Sequence, residues 1–306
     1  MVPPAFSAAL RRRAALHGDG GTDAIRLLDG AGDGSEFAGL TLEDYAGRWL
    51  VQTDDRFLSS PPVWLQEVRP APRAIYWKRL EKSDRKGPVY WHGERVEAPF
   101  GIREYGIVYR IDFAAGYSQG IFLDQRENRR RVHVQATADT RTVLNLFSYT
   151  CAFSVAAAMG GALTTSVDLS KRYLDWGRET FRANRMDLFG HEFYAGDVFD
   201  RLGFFAKRKR RFDLVIVDPP TFSRDRDGGT FRVDRDYHQL ATLAAALVND
   251  RGCLLCSTNH RGFPRGELRL VLASALGASW RLENVAMPID FTGEQYLQSV
   301  WAKRTG

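Results

Sequence analysis

The sequence has 306 residues and a net charge of +6, and 44% of its residues are hydrophobic, enough for the core of two domains or of one large one. No apolar run reaches membrane-spanning length, and the N-terminus carries its charges after a short apolar stretch, the reverse of a secretory signal. Three cysteines without paired spacing and six scattered histidines argue against a disulfide framework and a zinc site. We therefore expect a cytoplasmic protein that binds neither a metal nor a membrane.

The positive charge is concentrated in three clusters. These are Arg11–Arg13, Arg126 with Arg129–Arg131, and Lys207–Arg211. Clusters of this kind fit a polyanion such as RNA. For each cluster the alternative is a solvated helix face or loop.

The first third of the chain predicts an arm and a small domain. Residues 1–20 indicate a flexible N-terminal arm. In residues 21–112, glycine and aspartate cluster at turns between alternating apolar residues, and strand-like runs follow at Ala74–Leu80 and Ile102–Phe113. We interpret residues 21–112 as an α+β accessory domain and residues 113–306 as a second domain.

The second domain is organised around a β-α-β unit. Val143–Leu146 is a short apolar run typical of a buried parallel strand, and the Ala-rich stretch Phe153–Met159 predicts a helix. Leu163–Val167 predicts the next strand, which Asp168 follows. An acid at this point is well placed to accept hydrogen bonds from ribose hydroxyls, as in sites for NAD or S-adenosylmethionine.

The sequence of the first loop of this unit distinguishes a site for NAD from a site for S-adenosylmethionine. A dinucleotide loop uses G-x-G-x-x-G so that a pyrophosphate can approach bare backbone. The loop Phe147–Thr150 contains no glycine. The sequence therefore disfavours a pyrophosphate and remains compatible with a nucleoside that carries a small amino-acid tail.

A second motif follows another buried strand. Phe212–Val217 predicts the strand, and Asp218-Pro219-Pro220 stands at its carboxyl end, where open α/β sheets bind ligands. The prolines stiffen the backbone, and both Asp218 and the Pro219 carbonyl can accept hydrogen bonds from a base edge or an amine.

Several motifs together carry a family resemblance. LNLFSYT, SVDLSKRYLDW, DPPTFS, STNHRGF and the upstream GYSQGIFLDQRENRR resemble the bacterial large-subunit rRNA methyltransferases that use S-adenosylmethionine, and most closely the guanine-N7 branch. The likeness covers most of the chain from about Ile25 onward. It implies an α/β fold, with a Rossmann-like class I methyltransferase domain preceded by an α+β accessory domain that resembles an RNA-binding domain. It also implies large-subunit rRNA or an assembling ribosomal particle as partner, and leaves the oligomeric state open.

The resemblance also implies a cofactor site. Asp197 matches an acid that commonly accepts from the adenine amino group, although it could equally cap a helix. Cys151 replaces a glycine that is usual in the family's first loop, where it could narrow the cofactor pocket. The predicted cofactor-binding residues are Phe122, Asp124, Gln125, Arg126, Asn145, Phe147, Ser148, Tyr149, Thr150, Asp168, Leu169, Ser170, Asp197, Val198 and Asp218.

The motif Ser257–Phe263 bears on the base that is methylated. Methylation of cytosine carbon 5 needs a cysteine thiolate that adds to carbon 6. The cytosine enzymes resemble one another in carrying that cysteine where this chain has Asn259, and Cys256 falls inside the preceding strand. The pattern resembles the guanine-N7 enzyme, which needs no nucleophile. The predicted catalytic residues are Asp218, Pro219, Pro220, Phe222 and Asn259.

Other functions stay open at this point. Adenine-N6 transfer is a weaker candidate, because an aromatic residue usually follows D-P-P there and Thr221 follows it here. A cytosine-C5 rRNA enzyme and a methyltransferase of a protein or a small molecule are further alternatives. A non-catalytic RNA-binding protein with this fold is another, although Asp168, Asp197 and Asp218 argue against it.

Overall fold

The computed structural model describes residues 1–18, 21–57, 60–80, 86–224 and 230–305. They form two compact units. Unit 1 comprises Met1–Arg126 and the separate segment Pro288–Gln295, and unit 2 comprises Glu127–Met287 and the chain from Tyr296 onward. In the described part of the chain, no helix is both long and apolar enough to cross a lipid bilayer.

Unit 1 is built on a five-stranded sheet with the order β1-β2-β3-β4-β5. Neighbouring strands are antiparallel except β3 and β4, which are parallel. A separate hairpin is formed by β6 and β7. The strands are β1 Ala24–Asp29, β2 Leu40–Tyr45, β3 Arg48–Thr53, β4 Ala74–Arg79, β5 Val89–Gly93, β6 Phe100–Glu104 and β7 Ile107–Ile111.

The N-terminal residues form a regular helix, α1 Pro4–Arg13. A proline at its first position suits a helix start, because that N–H has no partner inside the helix. The Phe6 ring is buried, with its centroid 6.3 Å from that of Trp49 and 4.8 Å from that of Trp64. The prediction of a flexible arm is therefore wrong over this helix, because its apolar face completes the core of unit 1.

The end of unit 1 also differs from the predicted boundary at residue 112. Phe113 is buried, and its ring packs on Tyr45, Tyr76 and Phe100, all of unit 1. The chain consequently stays in unit 1 as far as Arg126. It returns there at Pro288–Gln295, which no local pattern in the sequence indicates.

Buried ion pairs hold this returning segment in unit 1. The Arg126 guanidinium donates to both carboxylate oxygens of Asp290, at 3.0 and 2.5 Å, and the Arg26 N–H donates to Asp290 Oδ2 at 2.8 Å. Arg13 donates to both oxygens of Asp33 and to the backbone carbonyl of Asp290. Three arginines from the predicted polyanion clusters are thus internal, because Arg129 is buried as well as Arg13 and Arg126.

Unit 2 contains a seven-stranded sheet with the order β10-β9-β8-β11-β14-β16-β15. The first five strands in this order are parallel, and β16 is antiparallel to both of its neighbours. A short hairpin, β12 with β13, follows the D-P-P motif. The strands are β8 Thr142–Leu146, β9 Leu163–Asp168, β10 Glu192–Ala195, β11 Phe212–Val217, β12 Phe222–Arg224, β13 Thr230–Arg232, β14 Val248–Thr258, β15 Trp280–Val285 and β16 Gln298–Arg304.

Helices cover both faces of this sheet. Residues of α2 and α3 join one core cluster, and residues of α5, α6 and α7 join the other. The helices are α2 Arg126–Ala138, α3 Ala152–Met159, α4 Lys171–Ala183, α5 Val198–Lys207, α6 Val233–Ala245 and α7 Glu267–Leu276. This confirms the predicted Rossmann-like α/β domain.

The strand order fixes where a ligand can bind. The order reverses between β8 and β11, and in open α/β sheets such a switch point opens a crevice at the carboxyl ends of the strands. Leu144 and Val215 face one core cluster, whereas Val143 and Leu214 face the other, so both strands are buried on both sides. The residues that follow these strands are therefore the candidates for function.

Candidate functional site

The loop after β8 has an unusual backbone conformation. Phe147, Tyr149 and Cys151 have φ values of 56°, 48° and 61°, in the left-handed region where side chains other than glycine are disfavoured. Two backbone hydrogen bonds hold the loop: Ser148 N–H donates to Val167 O at 2.9 Å, and Cys151 N–H donates to Ser148 O at 2.7 Å. The fold thus stabilises a strained turn next to the switch point.

Asp168 lies at the end of the neighbouring strand β9. Its two carboxylate oxygens accept from the N–H groups of Tyr149 and Ser170, each at 2.8 Å. Burial raises the pKa of Asp168, and these two hydrogen bonds oppose the rise. The backbone therefore fixes the orientation of the carboxylate, which keeps lone pairs for further donors such as hydroxyl groups.

Two predicted residues cap helices. Asp197 Oδ1 accepts from the N–H groups of Phe199 and Asp200, at 2.7 and 3.1 Å, at the start of α5. Ser170 Oγ accepts from the Tyr173 N–H at 3.3 Å at the start of α4, as its position predicted. The alternative role of Asp197 as a helix cap is confirmed, and capping does not prevent the same carboxylate from accepting from a ligand.

The D-P-P motif lies at the end of β11 beside strand β14. Asp218 is half-buried, and its Oδ1 accepts from the Ser257 hydroxyl at 2.6 Å. The buried Tyr237 hydroxyl donates to Ser257 O at 2.9 Å and lies 3.3 Å from Val217 O, so it links the ends of the two strands. Sequence reasoning missed both Ser257 and Tyr237, although Ser257 opens the motif that singled out Asn259.

Asn259 and Phe222 are exposed residues that come after the carboxyl ends of β14 and β11. Asn259 Oδ1 accepts from the Thr221 hydroxyl at 3.3 Å, which leaves the amide N–H groups to donate elsewhere. Phe222 is 52% exposed, an unusual fraction for a large aromatic ring. Pro219 is buried and Pro220 is exposed, so the motif has one anchored and one accessible proline.

The three cysteines are poor nucleophiles. Burial raises the pKa of Cys256 to about 12 and that of Cys151 to about 12, and it also raises the pKa of Cys253. Cys256 is 0% exposed inside β14. Since the thiolate is the reactive form, none of these side chains is prepared for attack on a base.

The Cys151 thiol packs between the loop and helix α4, and its Sγ lies 3.8 Å from Ser148 Oγ and 3.9 Å from Tyr149 O. A Cβ added to Gly177 of that helix would lie 2.5 Å from Cys151 Sγ and 2.8 Å from Cys151 Cβ. The missing side chain at Gly177 therefore makes the space that the cysteine fills. The expectation that Cys151 narrows a cofactor pocket stays a prediction.

Some predicted cofactor-binding side chains are used inside the protein. Asn145 donates to Ser154 Oγ at 2.9 Å and is buried, and Val198 belongs to the core. Arg126 is 1% exposed and paired with Asp290. These three side chains are therefore engaged inside the protein, and cofactor binding by the three residues stays a prediction.

The remaining predicted residues differ in exposure. Gln125, Ser148 and Thr150 are buried. Phe147 packs on the core, with its ring centroid 5.8 Å from that of Phe231. The half-buried members of the predicted set are Asp124, Phe147, Tyr149, Asp168, Leu169, Ser170, Asp197 and Asp218. Phe122, which belongs to unit 1, is 47% exposed.

No group of three or more metal-ligating side chains occurs in the described ranges.

A known family matches this chain over most of its length. The model of the S-adenosylmethionine-dependent methyltransferase family matches residues 68–286. The chain belongs to this family. It is thus an S-adenosylmethionine-dependent methyltransferase, and the switch-point crevice with Asp168 and Asp218 lies inside the matched range.

Curated relatives of this methyltransferase include two ribosomal RNA large subunit methyltransferases from other bacteria. The putative ribosomal RNA large subunit methyltransferase YwbD of Bacillus subtilis strain 168 is 36% identical over 301 residues, a match to 92% of this chain and 74% of YwbD. Ribosomal RNA large subunit methyltransferase K of Neisseria meningitidis serogroup B is 34% identical over 240 residues, a match to 75% of this chain and 65% of that protein. The chain spans just under two thirds of the latter.

Solved structures agree with the fold. The structure of SMU.776, a putative methyltransferase complexed with SAH, has a TM-score of 0.86 at 30% identity and matches 98% of this chain and 80% of its own. A putative SAM-dependent methyltransferase from Streptococcus mutans has a TM-score of 0.84, also at 30% identity, with the same coverage. These structures place the chain among methyltransferases in both sequence and fold.

Proposed function

We propose that this methyltransferase transfers a methyl group to a base of large-subunit ribosomal RNA, and that the acceptor atom is N7 of guanine. The names of YwbD and of methyltransferase K, at 36% and 34% identity, support the substrate class. The choice of N7 as the acceptor atom rests on the exposed Asn259, which stands at the position where a cytosine-C5 enzyme needs a thiolate.

The residues at the carboxyl edge of the sheet fit S-adenosylmethionine. Asp168, with its orientation fixed by two N–H groups, would accept from the ribose hydroxyls, and Asp197 would accept from the adenine amino group. The loop Phe147–Thr150 would border the amino-acid tail, for which a pyrophosphate-binding glycine run is unnecessary. When bound, the cofactor supplies a methyl group made electrophilic by a sulfonium.

The chemistry at guanine N7 demands little acid–base catalysis. N7 carries an exposed lone pair, so it can attack the methyl carbon directly while the carbon–sulfur bond breaks, and no proton must leave the base. The protein then contributes orientation and exclusion of water. The raised pKa values of the three cysteine thiols support this reaction over addition of a thiolate to cytosine C6.

The side chains around the D-P-P motif would hold the guanine. Asp218, oriented by Ser257, can accept from the N–H donors of guanine, and the Asn259 amide can donate to its O6 and leave the N7 lone pair free. The exposed ring of Phe222 offers a stacking surface. A paired guanine would first have to leave its helix.

The test is methyl transfer from labelled S-adenosylmethionine to unmodified large-subunit rRNA, followed by mass spectrometry of the digested nucleosides. We expect label in 7-methylguanosine. Asp218→Ala should lose transfer while S-adenosylhomocysteine binding, measured by calorimetry, is kept; Cys256→Ser should change neither.

Label in 5-methylcytidine that disappears in Cys256→Ser would overturn the choice of N7. Absence of label on both naked rRNA and large-subunit precursor particles, with cofactor binding intact, would overturn rRNA as substrate. Transfer that survives Asp218→Ala would refute the role given to that carboxylate.

A further inference from the structure

Unit 1 contains a cavity of about 520 Å³ that the proposed reaction does not use. Its walls come from the turn after α1, Asp23 before β1, the β2–β3 hairpin, the residue before β4 and strand β6. Small-ligand sites commonly measure about 300–1,000 Å³. The cavity is therefore large enough for one nucleotide.

A buried carboxylate forms the floor of this cavity. Asp44 Oδ1 accepts from the Gly47 N–H at 2.6 Å, and the imidazole Nε2 of His17 lies 3.7 Å from Asp44 Oδ2. Burial raises the pKa of Asp44 to about 7 and lowers the pKa of His17, so the imidazole contributes little positive charge there. Trp49 and the Tyr45 backbone also donate to this carboxylate, which keeps a lone pair for one further donor from a ligand.

Guanidinium groups surround the mouth of the cavity. Arg48 stacks on the Phe100 ring, with its guanidinium carbon 4.4 Å from the ring centroid. The Arg103 guanidinium lies 3.8 Å from Asp23 Oδ2, beyond hydrogen-bond distance. The exposed Arg73 side chain has no hydrogen-bond or ion-pair partner among the residues that the structure describes. An anion at the mouth would meet Arg73 and Arg103.

We propose that this cavity binds one unpaired nucleotide, with its phosphate on Arg73 and Arg103 and with a base that donates N–H hydrogen bonds to Asp44. The combination of a buried acceptor and exposed guanidinium groups matches the two ends of a nucleotide. The Arg48–Phe100 stack presents a flat surface for the base. A base with an exocyclic amino group offers more donors than uracil, so guanine should be preferred.

The inference rests on the proposed function in one respect, because an RNA substrate would be the source of the nucleotide. The binding chemistry itself needs only unit 1. A free mononucleotide presents the same groups, and the experiment distinguishes the two sources.

The experiment is calorimetric titration of the full chain, saturated with S-adenosylhomocysteine, with guanosine monophosphate, uridine monophosphate, inorganic phosphate and a guanosine-containing RNA pentamer. Arg73→Gln and Asp44→Asn are compared with Arg11→Gln, which removes one exposed charge of unit 1 outside the cavity. Asn259→Ala controls for binding at the proposed acceptor site.

We expect guanosine monophosphate to bind more tightly than uridine monophosphate or phosphate. Arg73→Gln and Asp44→Asn should each weaken it about tenfold, and Arg11→Gln should not. A parallel loss for the RNA pentamer identifies RNA as the source, and a loss for the mononucleotide alone identifies a free nucleotide. Equal weakening by Arg11→Gln, or loss only in Asn259→Ala, overturns the site. Because no methyl transfer is measured, failure of the rRNA assay would leave this result standing.

Discussion

Replacing Asp290 with alanine should destabilise unit 1 severely. Asp290 is 0% exposed and accepts two hydrogen bonds from Arg126, which is 1% exposed, and a third from the Arg26 N–H. Removing one partner of a buried ion pair costs about 3–5 kcal/mol, and an unsatisfied buried N–H adds about 1 kcal/mol. The expected loss of about 4–6 kcal/mol approaches the whole stability of a typical domain, about 5–15 kcal/mol.

Urea unfolding followed by tryptophan fluorescence measures this loss. Trp49 and Trp64 pack against Phe6 in the core of unit 1, so their emission reports on this unit. The matched control is Asp55→Ala, which breaks an exposed pair with Arg79 at 3.2 Å and should cost less than about 1 kcal/mol.

Adding Arg126→Met to Asp290→Ala should recover part of the loss, because it removes the uncompensated buried charge. A loss below about 1 kcal/mol for Asp290→Ala, equal to that of the exposed control, would refute the reasoning. So would a double variant that is less stable than Asp290→Ala alone.

Three further predictions follow from the packing and charge of single residues. Gly177→Ala would stabilise an ordinary helix, but here it should lower the free energy of unfolding by about 1–3 kcal/mol because the new Cβ meets Cys151. Adding Cys151→Gly should restore the melting temperature in thermal unfolding. An unchanged melting temperature in Gly177→Ala alone would contradict the clash. Burial raises the pKa of Asp44 to about 7, above its unfolded value of about 4, so the folded chain binds more protons between these values and loses stability as the pH rises through them. Asp44→Asn should therefore raise the free energy of unfolding at pH 8 by up to about 4 kcal/mol, with a gain that shrinks toward pH 4 in urea titrations; a gain independent of pH would count against it. Ser257→Ala removes the donor that orients Asp218. It should lower the rate of methyl transfer about tenfold without changing the affinity for S-adenosylhomocysteine. An unchanged single-turnover rate would exclude that positioning role.

The local pattern of the sequence was enough to predict the central strands. The predicted strand Phe212–Val217 coincides with β11, and Val143–Leu146 differs from β8 by one residue at its start. Runs of buried residues bounded by turn signals carry this information within a few positions. The capping role of Ser170 and the position of Asp168 at the end of β9 could be anticipated for the same reason, because both lie directly at element ends.

Contacts between distant residues could not be predicted in this way. The Ser257–Asp218 hydrogen bond depends on the register that pairs Cys256 with Val217 across β14 and β11. The charge of Arg126 is visible in the sequence, but the Asp290 that neutralises it is 164 positions away. A cluster of arginines in the sequence therefore indicates positive charge, but it does not indicate whether the guanidinium groups contact solvent, nucleic acid or a buried carboxylate.

The return of Pro288–Gln295 to unit 1 has a consequence for how this protein could be rearranged by recombination. A gene fragment that ends at the codon for Arg126 encodes the whole N-terminal part of unit 1 but not Asp290, so its product would bury a guanidinium beside an empty acceptor position. Unit 1 consequently cannot be transferred to another protein as one continuous gene fragment. Fusion or shuffling would have to carry the eight-residue segment as well, which ties the inheritance of the two units together.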